Sequence, residues 1–369
     1  MDTISAKYLI VGAGIFGLTV AERIANDLQE KVVVIDKRPH IGGNCYSEVN
    51  QATGIEVHKY GAHIFHTSDK DVWDYVNRFS GFNSYRHKVV AIHEGLDYTL
   101  PINLHTINKL FGQRFTPSEA AALLRSEPRE VRNLEDKAIS LVGTRLYKAF
   151  IQDYTIKQWG RDPKDLDASV IARLPVRLNY NTDYFSDVWQ GIPTIGYTAM
   201  FQRMIESPRI EVHLSTDFDS VEVDPRCQVV YTGRLDKYFG YKHGRLKWRS
   251  VRLVTKVVDT MDFQGAYVIN YSDACYPFTR IVEHRHAHPE RNYGDKSVVS
   301  WEYAFDTLDD DPSYPMNLAS DKETLVQYLG EKTKVIFGGR LGTYRYVDMH
   351  TSVKDALTCY YKRIKEHIC

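Results

Sequence analysis

Two stretches of this chain concentrate histidine. "HKYGAHIFH" (58–66) carries His58, His63 and His66, and "HRHAHPE" (284–290) carries His284, His286 and His288. Imidazole can ligate zinc or move protons near neutral pH, so metal binding and acid–base chemistry are the first readings. The spacing argues against a metal in both. In the first run Gly61 sits inside the interval, where a ligand-bearing helix avoids glycine and a close backbone approach to a ring system favours it. In the second, period two would put three imidazoles on one strand face, but Pro289 follows at once and predicts an exposed strand end. No metal is expected.

A third constellation is Gly12, Gly14 and Gly17 in "GAGIFG". It lies between an apolar run, "KYLIV", and a helical pattern with Leu18, Ala21, Ile24, Ala25 and Leu28 on one face; "KVVVID" then closes a βαβ unit over 7–36. The first glycine permits the tight turn, the second lets a pyrophosphate approach the backbone, and the third packs helix on strand. Asp36 ends the second strand, where an acid accepts from a ribose hydroxyl and disfavours a 2′-phosphate. A second glycine pair, Gly42–Gly43, and a late one before Arg340 resemble the extended dinucleotide contacts of FAD proteins of the glutathione-reductase and amine-oxidase type. FAD is therefore expected rather than a nicotinamide.

These residues need elements to hold them. At 369 residues the chain is long enough for two or three domains. "DKDVWDYVNRF" reads as a short helix, and 86–100 as a hairpin turning at "HEG". From 103 to 172 the pattern becomes helical: Thr116, Pro117 and Glu119 spell a capping box, and Asn133 caps a helix with Leu134, Ala138, Leu141 and Val142 on one face. From 209 to 303 short strand-like runs return, some completing the first sheet and others forming an antiparallel one. A last strand and a helix with Val353, Leu357, Tyr360 and Ile364 lead back to the N-terminal sheet. The expected division is a discontinuous Rossmann-like domain (1–80, about 190–240, 330–369), a helical domain (101–175) and a sheet domain (81–100, 176–190, 241–329).

Bulk composition narrows the function. Forty-seven basic and 47 acidic residues cancel, so no bulk attraction to nucleic acid or an anionic membrane is expected. No run is apolar enough for export or a membrane span, and five scattered cysteines argue for a reducing cytoplasm over a disulfide framework. Tyrosine outnumbers phenylalanine 25 to 15, which suits a site that stacks on rings while hydrogen-bonding polar groups.

The blocks "RPHIGGN", "HKYGAHIFHT", "NLEDKAISLVG", "YTIKQWG", "RLPVR", "YFSDVWQGIP", "NYSDACYPFTRIVEH" and "VIFGGRLGTYRYVDM" occur in the order found in the bacterial UDP-galactopyranose mutases. The chain resembles that family nearly end to end. The resemblance implies an isomerase that interconverts UDP-galactopyranose and UDP-galactofuranose for surface polysaccharides. It implies FAD, active only when reduced, in a fold of Rossmann-like, helical and antiparallel-sheet parts. Reduced N5 would attack the anomeric carbon as UDP leaves, and the ring would reclose through another hydroxyl with no net redox change. It also implies a homodimer and an external reductant such as NAD(P)H or a reductase. The alternatives are an enzyme accepting UDP-N-acetylgalactosamine, a flavin amine-oxidase-like oxidoreductase, and a non-catalytic nucleotide-sugar sensor.

By the same resemblance Arg173 and Arg280 clamp the diphosphate, where a guanidinium fork suits charge growing on the leaving group. Tyr184, Tyr314 and Tyr346 match phosphate-binding tyrosines, Phe150 and Tyr154 the pair that stacks on uracil, and Trp159 a mobile-loop residue closing over substrate. Arg249 and Asn270 match contacts to flavin or sugar. The cofactor would lie along Gly12, Gly14, Phe16 and Gly17, then Asp36, Lys37 and Arg38, then Gly42, Gly43 and Asn44. Tyr60, Gly61 and His63 would sit under the flavin, with His63 beside N5, and Arg340, Tyr346, Asp348 and Met349 would complete its surround. His58 and His66 are left as structural residues.

Overall fold

The computed structural model describes residues 2–4, 6–127, 129–171, 175–307 and 311–366. Its first unit follows the apolar periodicity: β1 (Tyr8–Val11), α1 (Ile15–Asp27) and β2 (Val32–Ile35). Leu18, Ala21, Ile24 and Ala25 of α1 are fully buried. Burying each of the larger ones contributes roughly 1.5–3 kcal/mol. The chain then forms a hairpin, β3 (Val89–His93) and β4 (Leu96–Leu100), whose two turn residues, Glu94 and Gly95, both take positive φ. That is the backbone a two-residue hairpin turn requires.

Helices follow: α2 (Leu104–Phe111), α3 (Pro117–Leu124), α4 (Leu134–Tyr147) and α5 (Asp153–Trp159). Both halves of the Thr116–Glu119 capping box are made, and the Asn133 side chain accepts from Asp136 N–H to cap α4. Gly143, at φ 76°, breaks α4 near its end, and Lys148–Gln152 form a π-helical turn leading into α5. Leu134, Ala138, Ile139, Val142 and Leu146 share a core with Ala91 and Tyr98, so the helices rest on the hairpin.

Apart from three small two-stranded pairings, the other strands serve two larger sheets: β5 (Ile210–His213), β6 (Gln228–Tyr231), β7 (Trp248–Val258), β8 (Val268–Tyr271), β9 (Arg280–Glu283), β10 (Ser297–Thr307), β11 (Tyr314–Pro315) and β12 (Ile336–Phe337). One sheet, ordered β5-β2-β1-β6-β12, is parallel throughout. The last α-helix, α6 (Met349–Cys359), returns to it, and its Val353 and Ala356 share the buried core with α1. The fold is thus α/β and Rossmann-like, with an inserted helical part and a second sheet.

That second sheet, ordered β11-β7-β10-β9-β8-β3-β4, corrects one expectation. It is antiparallel except where β3 joins β8 in parallel, Val89 opposite Val268. Alternation of apolar residues carries no information about strand direction, and these partners lie far apart in sequence. The segment 284–290 corrects another: His284–Ala287 is a 3-10 turn rather than a strand end, and His284 and His288 are buried. Among the described residues no helix is long and apolar enough to cross a membrane.

Candidate active site

A cleft of about 440 Å³ opens beyond the carboxyl ends of β1, β2 and β6. That edge is where open parallel sheets bind ligands. Gly12 takes φ 107°, and a Cβ there would lie 2.0 Å from Thr232 Oγ1; one on Gly17 would lie 2.0 Å from the Gly12 carbonyl oxygen. The second pair packs on the first: Gly14 bridges to Gly42, Gly42 N–H donates to Ala13 O (2.7 Å), and a Cβ on Gly43 would lie 3.1 Å from Gly14 Cα. No side chain caps the start of α1, and its first turn holds no acid. Its leading N–H groups and dipole are therefore left for an anion.

Asp36 lines this cleft and braces it. Its carboxylate accepts from Ala13 N–H (2.7 Å) and from Arg38 N–H (2.9 Å), tying the glycine turn to the end of β2. Arg38 donates to Asn44 Oδ1 (2.9 Å) and lies over the Tyr60 ring (4.4 Å). Both Arg38 and Lys37 pair with Asp311 at 3.2 Å. Tyr60 thus supports Arg38 and does not itself line the cleft. At the C-terminal side Gly338 lies flat on Phe16, where a Cβ would come within 2.2 Å of the ring. Arg340 donates to the carbonyls of Ser313 (2.6 Å) and Val347 (2.8 Å) and lies over Tyr346 (4.9 Å).

The histidines of the two runs take different partners, and two groups of potential ligands among the described residues, His66 with Asp348 and His350, and Asp262 with Glu283 and His286, each draw one histidine from a run. His63 Nδ1 donates to Gly61 O (2.7 Å), because a carbonyl can only accept, so Nε2 is left as an acceptor. His63 N–H and the Tyr267 hydroxyl both donate to His58 Nδ1, at 3.1 and 3.0 Å. Burial pulls His63 down to about 3 and His58 to about 4, so both are neutral at physiological pH. His63 lines the cleft. His66 stacks on Phe185 at 3.6 Å and pairs with Asp187 at 2.7 Å. Its potential ligand atom groups with those of Asp348 and His350, within 4.8 Å of one another, rather than with His58 or His63. In the second run, His284 joins Ser300 and His288 joins Glu56 and Glu290.

Arg280 lies across from this block. Its guanidinium donates to Tyr154 Oη (2.8 Å) and its Nε lies 3.0 Å from Glu302 Oε1. Burial opposes the charge, but Glu302 holds Arg280 above its ordinary range. Glu302 connects the two regions, since a Cβ on Gly61 would lie 3.6 Å from its other oxygen. Burial, partly opposed by Arg280, raises the Tyr184 hydroxyl; Tyr346 and Asp348 raise it further, so these four groups share one electrostatic environment. Asn270, opposite Arg280 in the β8–β9 register, has a buried Oδ1 with no hydrogen-bond partner among the described residues.

The structure therefore brings Arg280, Tyr154, Tyr184, Tyr346, Asp348 and His63 toward one region. Arg173 lies outside the described residues. Arg249 is buried away from the cleft: it donates to the carbonyls of Gln158 (2.9 Å) and Lys157 (3.2 Å) and pairs with Asp306 at 2.7 Å. The Tyr314 hydroxyl donates to Gln158 O (2.9 Å), and its ring meets Trp159 edge-on at 5.0 Å. Phe150 is buried against Tyr98 and His93. Sequence reasoning missed Glu302, Lys157 and the Thr232–Gly233 pair that closes the cleft. The last left a signal, "YTG" directly after an apolar strand; Glu302 looked like one more polar residue in an alternating run.

Residues 149–346 match the family described as UDP-galactopyranose mutase, and residues 10–79 match the NAD(P)-binding Rossmann-like domain. The chain is 39% identical to dTDP-fucopyranose mutase of Escherichia coli, over 98% of this chain and 100% of that protein. It is also 39% identical to a probable UDP-galactopyranose mutase of Klebsiella pneumoniae, over 95% and 92%. A crystal structure of reduced UDP-galactopyranose mutase superposes with a TM-score of 0.73 at 15% identity, covering 97% of this chain and 93% of that one, which speaks to the fold. With a family match over more than half its length and full-length relatives at this identity, the chain belongs to the UDP-galactopyranose mutase family of isomerases.

Proposed function

We propose that this enzyme interconverts UDP-galactopyranose and UDP-galactofuranose with reduced FAD bound in the cleft. The fit to FAD rests on the glycine cradle, the uncapped start of α1 and the length of the cleft from Asp36 to His63 and Asp348. Gly12, Gly14, Gly17, Gly42 and Gly43 would hold the pyrophosphate, and Gly339–Arg340 with Met349 the flavin end. Reduced flavin supplies an electron-rich N5 as nucleophile toward the anomeric carbon, without net redox change.

The chain's own residues prepare the rest. The observation that carries the reading is Arg280, a charged guanidinium kept oriented by Glu302 and Tyr154 beside the histidine block. It can hold a diphosphate and stabilise the charge that grows as the bond to the sugar breaks. Tyr184 and Tyr346 carry hydroxyls suited to the same phosphates, with Arg173 as second clamp and Tyr314 at the closing loop. Tyr154 and Phe150 serve the base, Trp159 covers the sugar, and Asn270 offers its unpaired oxygen. His63 keeps Nε2 as a neutral acceptor at the cleft, where it favours the N–H form of a ring nitrogen. The same reading includes the three-part domain division given above, a homodimer, an external reductant and a cytoplasmic site of action.

A second substrate is favoured by one finding, the full-length relative named dTDP-fucopyranose mutase. A thymidine nucleotide and a 6-deoxy sugar would leave the diphosphate clamp and the flavin chemistry unchanged. Dithionite-reduced protein should be offered UDP-galactose and dTDP-fucose, each in furanose and pyranose form. The proposal predicts a higher kcat/KM for the UDP sugars; preference for dTDP-fucose would move the chain to the second reading.

A further inference from the structure

Lys157 carries no assigned role, yet its surroundings are built for an ammonium. It projects from α5 into the turn joining β8 to β9. There Nζ donates to three main-chain carbonyls, those of Tyr271 (2.5 Å), Asp273 (2.8 Å) and Phe278 (3.2 Å). All three N–H donors are used, and among the described residues no carboxylate oxygen forms an ion pair with it. Tyr271 and Phe278 flank the neck of the turn, closed by Tyr271 N–H on Thr279 O (2.9 Å), and their rings pack at 4.9 Å. An exposed lysine would keep its charge in water; here the charge is half-buried against main-chain dipoles, which is useful only if the geometry it fixes is useful.

What it fixes is the relation between two functional elements. The turn leads directly into Arg280, and α5 carries Tyr154 one helical turn before Lys157 and Trp159 two residues after. Asp153 adds a parallel tie, accepting from Ala274 N–H at 3.2 Å. At the other end of the helix Arg249 and Tyr314 hold the last carbonyls, and Gly160, at φ 63°, lets Arg249 approach where a Cβ would lie 2.8 Å from its guanidinium. We propose that Lys157 is a positioning residue: its ammonium fastens α5 to the β8–β9 turn and thereby sets the gap between α5, which carries Tyr154 and Trp159, and Arg280. Its effect on turnover rests on the role given above to Arg280; its effect on α5 does not.

The groups facing the ammonium are Asp153 on α5 and Asp273 and Cys275 in the turn, with His93 of β3 held on Asp273 at 2.5 Å. Burial brings Lys157 down to about 8, against the pull of the two aspartates. The clamp is complete below that pH and loses a donor above it.

The test uses the full-length, cofactor-loaded enzyme with Lys157→Met and Lys157→Arg. In the Met variant, amide exchange over 150–162 should rise at least tenfold while flavin content stays unchanged. A shift of about 1 Å at a site can cost roughly 100-fold, so kcat should fall about 10- to 100-fold with a smaller change in KM. In the Arg variant, exchange should stay near wild type, and the fall of wild-type turnover as pH rises through about 8 should move upward, because a guanidinium does not titrate there. Exchange and kcat within twofold of wild type in the Met variant overturn the proposal, and so does an unmoved alkaline limb in the Arg variant. Should the Met variant fail to fold, the Arg comparison decides. If wild type turns over neither nucleotide sugar, the proposed function fails while the exchange comparison still judges Lys157.

Discussion

Arg280→Ala removes a guanidinium that serves two masters, Glu302 within the protein and a diphosphate in the proposed reaction. The structural loss follows from burial. Glu302 is 6% exposed and, among the described residues, would keep only Thr279 Oγ1 (3.1 Å) as a side-chain donor. Breaking a buried pair from one side costs about 3–5 kcal/mol. The catalytic loss is separate: removing one preorganised donor to developing charge costs roughly 100- to 1,000-fold in kcat. The double variant Arg280→Met/Glu302→Gln separates them. It leaves no orphaned carboxylate, so most of the lost stability should return, while kcat should remain at least 100-fold below wild type. Thermal unfolding and single-turnover assays on flavin-matched samples measure the two arms. If the double variant regains turnover within about tenfold of wild type, Arg280 acts through the fold and the clamp argument is wrong.

Gly12→Ala places a methyl 2.0 Å from Thr232 Oγ1 on a φ of 107°, so the purified protein should lose most of its flavin absorbance. His58, His87 and His284, all buried, and the part-buried His63 at the cleft have folded-state values of about 3 to 4, lowered chiefly by lost hydration, against an ordinary 6.5. The unfolded chain therefore binds more protons below pH 6.5, and stability, full above that value, falls as pH drops toward the folded values. Each contributes up to roughly 2 kcal/mol of loss by pH 5, so the unfolding midpoint should decline steeply from pH 6.5 to 5. Thr116→Ala removes the α3 cap, at a cost of about 1 kcal/mol in denaturant titration, and should leave turnover unchanged because the cap is remote from the cleft.

The parts legible in the sequence were those governed by local rules. Glycine spacing located the turn before α1, Thr116 and Glu119 marked a helix start, and "HEG" marked a hairpin. What stayed hidden depends on partners distant in the chain. The parallel β3–β8 pairing joins strands from distant parts of the chain, and neither strand's own pattern encodes its direction. Arg249 and Lys157 were charged residues beside apolar ones; only the folded α5 shows that the ammonium binds main-chain carbonyls and that the guanidinium divides between carbonyls of α5 and Asp306. His288 sat next to a proline, yet it is buried between Glu56 and Glu290. The resemblance supplied Arg280 and His63, and Glu302 emerged only from the folded pairing that gives Arg280 a counter-charge.

The most direct test of the account is turnover of UDP-galactofuranose by purified protein in oxidised and dithionite-reduced form. The account predicts yellow protein that converts the furanose to the pyranose sugar when reduced and does so poorly, or not at all, when oxidised. Colourless protein that takes up no flavin, or flavin-loaded protein that leaves the sugar unchanged after reduction, would contradict it.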